Sequence, residues 1–517
     1  MLLLLQANTS ALFSPSDLRL ITPEIILTVC ACIALVMEVM LPRKLSKWTG
    51  YFSIAGIALA AVSLIFLGLT IKEGGALEGF YGMVRVDGFA LLFKAIFLIA
   101  AALAIAISMR FLDIEGEQHG EYYALVLFAT VGMMFLGSGF DLILLYISLE
   151  LMALTFYVLV AFTKREKRSN EAAMKYFLLG AFSSGILLYG MSLLYGMTGS
   201  TNVGEISKGV ASIMSSVTGP QAQGELIGLR PLLLLGMIAM AAGLFFKISA
   251  VPFHMWAPDA YEGAPTSVTA FLSTGSKAAS FALYARIFVS ALGPMREHWA
   301  VLLALVAAIT IFVGNWAAVT QDNSKRLLAY SSISNAGYIL LGLVAGNMNG
   351  YIGIVIYLLV YTFMNMGAFG IIISLRRRGI IGDNVDDLTG LAHKAPGMAA
   401  MMGLFMLSLG GLPITGGFIG KYYLLLGLFE RGQTEKKNWY YWLAGWAIIN
   451  IVISFYYYLR FVKVMYLGDR IADDKPLSLS PALWSALGIS AIGILVIGVY
   501  PQPIISVTQG LINAWLH

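Results

Sequence analysis

Charge is scarce in this sequence. Asp, Glu, Lys and Arg together make up 12% of its 517 residues, against about 25% in an ordinary soluble domain. So little charge could not cover the surface of a soluble fold of this length. Cysteine is scarcer still: Cys30 and Cys32 are the two in the chain. They share one apolar run, and two thiolates are too few for a structural zinc site. They are expected to be free thiols buried in a helix. The five histidines, His119, His254, His298, His393 and His517, are scattered. No haem, zinc or iron–sulfur spacing occurs, and no glycine-rich nucleotide loop follows a strand pattern. The chain is therefore expected to work without a metal or cofactor of its own. A net charge of +5 is too small to suggest a nucleic-acid partner.

What fills the sequence is apolar. Hydrophobic residues reach 59%, and Leu, Ile, Val and Phe dominate every stretch, which excludes disorder. The remaining class is an all-α polytopic membrane protein in a lipid bilayer. Fourteen runs are long enough to span: 21–41, 48–71, 88–109, 122–138, 141–162, 172–197, 231–250, 264–290, 300–319, 328–345, 351–375, 396–429, 440–466 and 481–500. The apolar start, Met1 to Leu5, is short and has no basic flank, so it is not read as a cleaved signal peptide. With the first residue outside, sixteen loop lysines and arginines fall on the cytoplasmic side and nine on the other. The clusters Lys164–Arg168 and Arg376–Arg378 carry most of this bias. It predicts both termini on the outer face.

Two runs are interrupted. One breaks at Val251-Pro252, and the other around Gly410-Gly411-Leu412-Pro413 and Gly416-Gly417. Proline and glycine there free backbone groups that protein or water must satisfy. Residues 122–290 and 300–466 each hold five spans with the break in the fourth, which predicts two inverted five-helix repeats. They are flanked by a three-helix segment, 1–121, and a C-terminal helix within 467–517.

A charge inside the bilayer costs several kcal/mol and needs a reason. Four stand out: Glu150, Lys247 five residues before Pro252, Lys277 among Ser273, Thr274, Ser276 and Ser280, and Lys421 eight residues after Pro413. An ion pair that merely ties helices is the plain alternative for any one of them. Four on four spans, two beside breaks, favour ion or proton passage. A lysine in dry surroundings releases its proton more readily, and a glutamate that approaches and leaves it would switch that affinity. His254 could link Lys247 to the cytoplasmic side or simply bond the backbone at the break. Asp259 and Glu262 are expected to brace the break, and Glu171 and Lys175 to pair on the surface. Glu24 and Lys94 are expected to snorkel from span ends. Glu38 is a candidate contact to a neighbouring subunit.

The stretch from Phe246 to Pro265 (FKISAVPFHMWAPDAYEGAP) resembles the antiporter-like membrane subunits of respiratory complex I, the proton-translocating NADH:quinone oxidoreductase. So do Ala270–Ala279 (AFLSTGSKAA), Lys325–Ile333 (KRLLAYSSI) and Gly417–Lys421 (GFIGK). The Lys-Ile-Ser-Ala-Val-Pro-Phe-His form, Pro23-Glu24 and the fourteen spans look like the subunit N branch. Subunit L would carry a long helix beyond the last span. The resemblance covers nearly the whole chain. It implies a bacterial plasma-membrane protein that takes part in proton translocation, with Glu150, Lys247, Lys277 and Lys421 along the proton path. It implies other complex I membrane subunits as partners. The flavin (FMN), the iron–sulfur clusters and the quinone chemistry would then belong to the assembled complex rather than to this chain. One departure is Asn335, where many relatives have histidine, so no titrating role is expected at that position. The competing readings are a subunit of a cation/proton antiporter, which shares this fold, and a purely structural membrane subunit, which the charged axis disfavours.

Overall fold

The computed structural model describes residues 14, 17–40, 42, 47–71, 75–116, 120–216, 224–376, 383–468 and 480–516. Arg43, Lys44, Lys72, Arg377, Arg378, Arg470 and Lys475 of the loop-charge argument, His119 and His517, and Met1–Leu5 lie outside the described residues.

The chain opens with α1 (Thr22–Met40) and α2 (Lys47–Thr70). A short hairpin of β1 (Leu77–Gly79) and β2 (Val84–Val86) leads into α3 (Gly88–Glu115). The first five-helix region comprises α4 (Gly120–Ser138), α5 (Leu142–Val160), α6 (Lys167–Thr198), α8 (Gly224–Ile248) and a final interrupted element. An amphipathic helix, α7 (Val203–Ser216), lies between α6 and α8. After the first break come α9 (Trp256–Gly263), α10 (Thr266–Phe271) and α11 (Lys277–Tyr284). The second region holds α12 (Arg296–Val319), α13 (Ser324–Ala345), α14 (Met348–Leu375), α15 (Pro396–Gly410), α16 (Gly416–Glu435) and α17 (Trp439–Leu467). The C-terminal helices α18 (Pro481–Val499) and α19 (Gln502–Leu516) follow.

Among the described residues, twelve helices are long and apolar enough to cross a membrane. The two further runs expected to span differ because their helices are interrupted. Residues 264–290 divide into α10, a π-helical turn at Leu272–Ser276, α11 and a second π segment at Ala285–Ala291. Residues 396–429 divide into α15 and α16. The all-helical expectation needs the hairpin added, and the C-terminal segment holds two helices rather than one. The hairpin turns through Phe80, Tyr81 and Gly82, all at positive φ, and its three-residue strands are too short for alternation to be visible in sequence.

Burial sorts the helices. In α13 and α14, 94% of the apolar window is buried inside the protein, against 33% in α1, α2 and α18. A helix in the middle of the bundle can carry polar groups that meet other protein groups. A peripheral helix must be apolar where it faces lipid. The thiols follow that rule in part: Cys30 is buried, but Cys32 is exposed, which corrects the expectation that both are inside.

One further expectation is overturned. Glu24 and Lys94 do not snorkel. Glu24 Oε1 meets Lys94 Nζ at 2.6 Å, and both side chains are at most 1% exposed. Each lies near the N-terminus of its helix, so parallel α1 and α3 bring them to one level. Glu38 has a partner within the chain, accepting from the Gly120 amide at 2.6 Å. The Glu24–Lys94 pair ties the three-helix segment together in a dry setting, where losing one partner strands the other charge. Glu24→Gln is expected to destabilise the protein by about 3–5 kcal/mol, seen as a lower thermal midpoint of the detergent-solubilised protein. Adding Lys94→Met should restore most of the loss. An unchanged midpoint in Glu24→Gln would show that the pair contributes nothing.

Candidate functional site

The site is built where helices are interrupted. Helix α8 ends at Ile248, one residue after Lys247. Ser249 takes a positive φ of 60°, and the Val251 amide is satisfied by Thr310 Oγ1 of α12 at 3.0 Å. Trp256 Nε1 donates to the Phe246 carbonyl at 2.9 Å, which closes the break on its far side. Lys247 is thus held on a fixed backbone, 5% exposed. Among the described residues its Nζ has no hydrogen-bond partner, and neither has Glu150 Oε1 on α5. No ion pair joins Glu150 and Lys247 among the described residues. His254, beyond the break, is half-buried, and its Nδ1 is also without a partner.

Around the break lies a polar crevice of about 290 Å³, lined by Arg168, Glu171, Lys175, Asp259, Glu262 and Arg326. Lys175 pairs with Glu171 at 2.8 Å and Asp259 at 3.0 Å, and Arg326 with Glu262 at 2.8 Å. Asp259 and Glu262 therefore brace α9 against α6 and α13, as their positions beside the break suggest.

Lys277, 2% exposed, directly follows the π turn at Leu272–Ser276. A π turn shifts the register of a helix and often marks a functional position. The ammonium donates to the backbone carbonyl of Ser332 in α13. Lys325, counted above as a loop charge, is instead buried at the start of α13 and donates to the Ala264 carbonyl at 2.8 Å.

Lys421 is 4% exposed and sits on α16 facing the end of α15. Gly411, at φ 93°, turns the chain out of α15. This leaves the last carbonyls of α15 free of helix partners. Lys421 Nζ takes two of them, Leu409 O at 2.8 Å and Gly410 O at 3.1 Å. The negative end of the half-helix dipole favours a cation there. On its other side the ammonium lies 5.0 Å from the centre of the Tyr338 ring, a cation–π contact.

Sequence reasoning missed several groups. Arg286, fully buried in the second π segment, makes a two-pronged pair with Asp87 at 2.7 and 2.9 Å and donates to the Gly137 carbonyl at 2.8 Å. An arginine inside an expected span was the available signal. The buried Ser331, Asn335, Tyr357 and Tyr458 also come together, beside α13. Their residue types are common in spans, so only Asn335 stood out. Among the described residues no group of His, Cys, Asp or Glu could hold a metal ion.

The geometry has relatives. Residues 139–436 match the family described as NADH:quinone oxidoreductase/Mrp antiporter, TM. The chain is 50% identical to NADH-quinone oxidoreductase subunit N 1 of Koribacter versatilis, over 95% of this chain and 94% of that protein. It is 47% identical to NADH-quinone oxidoreductase subunit N 2 of Solibacter usitatus, over 97% and 98%. Among solved structures, a chain of respiratory complex I from Thermus thermophilus with bound aureothin superposes with a TM-score of 0.75 at 31% identity, covering 94% of this chain and 98% of that one. A chain of the Mrp complex from a Dietzia species gives a TM-score of 0.79 at 20% identity over 96% and 97%, a likeness of fold.

The Lys421 cradle depends on Gly417. A Cβ there would collide with the Ser408 carbonyl oxygen, immediately before the carbonyls that hold the lysine. Gly417→Ala is expected to push α15 and α16 apart and cost several kcal/mol, as overpacking of a close backbone contact does, roughly 1–3 kcal/mol or more. The check is the thermal midpoint together with proton pumping of the assembled protein. Parent values for both would show that the half-helices need no such closeness.

Proposed function

Since the chain belongs to the NADH-quinone oxidoreductase subunit N family, we propose that it is a membrane-arm subunit of a proton-translocating NADH:quinone oxidoreductase. In that role it moves protons while partner subunits pass electrons from NADH to quinone. FMN and the iron–sulfur clusters belong to those partners, and other membrane subunits of the complex flank this one. The chain resides in the bacterial plasma membrane with both termini on the outer face, and it is organised as two inverted five-helix units, 122–290 and 300–466.

The observation that carries this reading is the contrast among the buried charges. Lys277 and Lys421 rest on backbone carbonyls, while Lys247 Nζ and Glu150 Oε1 have no hydrogen-bond partner among the described residues. An unsatisfied buried ion is expensive, so a pair left open is poised to close or to change protonation. A Glu150 carboxylate approaching Lys247 would hold its proton, and one moving away would release it toward Lys277. Protons reach Lys247 by way of His254 and the adjoining crevice. Lys277 passes them along the membrane midplane, and Lys421, beyond the second break, delivers them outward. A cation/proton antiporter subunit would share the fold, but the curated relatives at 40–50% identity are named subunit N, and the Mrp likeness is one of fold.

Three substitutions test the path in a complex whose assembly is verified on native gels. Lys247→Ala and Glu150→Ala should each slow proton pumping roughly a hundredfold or more, the scale of a lost positioned proton-transfer group. Lys421→Arg keeps a positive charge but cannot give up a proton near neutral pH, so it should pump as poorly as Lys421→Ala. Parent-rate pumping by Lys421→Arg would make position 421 a fixed positive charge rather than a carrier.

The assignment of redox chemistry to partner subunits is tested separately. The purified chain should show no NADH oxidation with an artificial acceptor. Turnover by the isolated chain would overturn the assignment.

A further inference from the structure

The proposed path leaves a gap between Lys277 and Lys421, and a buried polar stripe on α13 lies between them. Ser331, Ser332, Asn335 and Tyr338 recur at helical spacing on one flank of α13, and each is at most 2% exposed or fully buried. At one edge the Ser332 carbonyl accepts from Lys277, and its hydroxyl lies 3.4 Å from Tyr261 Oη. At the other edge the Tyr338 ring lies under Lys421. Between them the Ser331 hydroxyl shares a short hydrogen bond with Tyr458 Oη of α17. Tyr458 stacks beside Tyr457 with ring centres 4.4 Å apart. Tyr457 Oη donates to Asn315 Oδ1 at 2.9 Å, and Asn315 Nδ2 donates to Tyr338 Oη at 3.3 Å.

Asn335 sits in the middle. Tyr357 Oη donates to its Oδ1 at 2.7 Å, while its Nδ2 lies 3.3 Å from Ser331 Oγ and 3.4 Å from Tyr458 Oη. An amide donates through nitrogen and accepts through oxygen, and it does not exchange a proton from one to the other as a hydroxyl does. By donating to both Ser331 and Tyr458, the amide points their own O–H groups away from itself. A dry apolar core would have no use for this arrangement, because each such group costs free energy to bury unless it is bonded.

We propose that Ser331 and Tyr458 form a hydroxyl relay that carries protons laterally from Lys277 to Lys421, with Asn335 as the positioning residue that holds the two hydroxyls in line. The proposal rests on the path assigned above. In each passage the Lys277 ammonium gives up one proton. Each hydroxyl oxygen accepts a proton on a lone pair and passes its own O–H proton onward, with water drawn onto the stripe bridging the remaining gaps. The Lys421 amine takes the last proton. The hydroxyls end neutral with their O–H directions reversed, and a second reorientation resets them.

The test uses the assembled complex in proteoliposomes, with NADH-driven proton uptake as the readout. Tyr458→Phe removes one oxygen and keeps the ring, and Ser331→Ala removes the other hydroxyl. Each should slow pumping roughly a hundredfold at parent assembly. Asn335→Ala should slow it as well, and Asn335→Gln, which keeps an amide, should recover a substantial part of the rate. A loss of packing alone would not produce that recovery. Parent-rate pumping by assembled Tyr458→Phe or Ser331→Ala, with Lys277→Ala and Lys421→Ala slow, overturns the relay and leaves the path standing. Parent-rate pumping by the two lysine variants overturns the path itself. If Tyr458→Phe does not assemble, Ser331→Ala decides the matter.

Discussion

A lysine ammonium buried in a membrane protein needs acceptors, and for Lys421 they are backbone carbonyls at the end of an interrupted helix. An uninterrupted helix spends its carbonyls on its own amides, so it has few to offer a cation. Interruption releases them. The end of α15 yields Leu409 O and Gly410 O to Lys421, and a helix terminus adds the favourable end of its dipole. At Lys277 the interruption is a π turn rather than a full break. It resets the side-chain register just before the lysine, which reaches the carbonyl of Ser332 on the facing helix. Breaks of this kind would be fatal against lipid. They are tolerated because α12, α13 and α14 pack around them and supply groups such as Thr310 that complete the loose ends.

That constraint separates the buried charges into two kinds. Asp87 and Arg286 satisfy each other twice over, and the arginine also holds Gly137 O. Glu24 and Lys94 meet in a direct contact. Such direct ion pairs fix helices against one another, and moving either partner would strand a charge. Lys247 and Glu150 are different. No ion pair joins them, and each keeps a polar atom without a hydrogen-bond partner among the described residues. A carrier needs a landscape of this shallow kind, because an ion locked as tightly as Arg286 could not exchange a proton without unfolding its surroundings.

Much of this was legible in the sequence, for a physical reason. Charges inside apolar runs are so costly that Lys247, Lys277, Lys421 and Glu150 announce themselves, and so do the proline and glycine that break the helices next to them. Other features were hidden because their logic is tertiary. Glu24 and Lys94 looked like separate span-end residues, since nothing local shows that their side chains meet across α1 and α3. The π segments leave no mark in hydrophobic periodicity over five to seven residues. Lys325 read as a loop charge because the helix that buries it begins one residue earlier, at Ser324. The hairpin was missed because its turn uses Phe80 and Tyr81 in the left-handed region, a conformation such residues seldom take.

The polar stripe on α13 explains why the centre of this bundle differs from its rim. A relay of hydroxyls and amides is stable only where every member has a partner, and α13 is covered along nearly its whole length. On a peripheral helix such as α1 or α18 the same serines and asparagine would face hydrocarbon with bonds unmade. Tyrosine is suited to the central site because its ring packs like a hydrophobic residue while its hydroxyl reaches across to a neighbouring helix. Tyr357 from α14 and Tyr458 from α17 both converge on Asn335 in this way. The three helices are thus joined by the same groups that would orient a proton route. On the proposed relay, stability and transport place one demand on this region: the cluster must remain bonded, but through hydroxyls whose protons can turn.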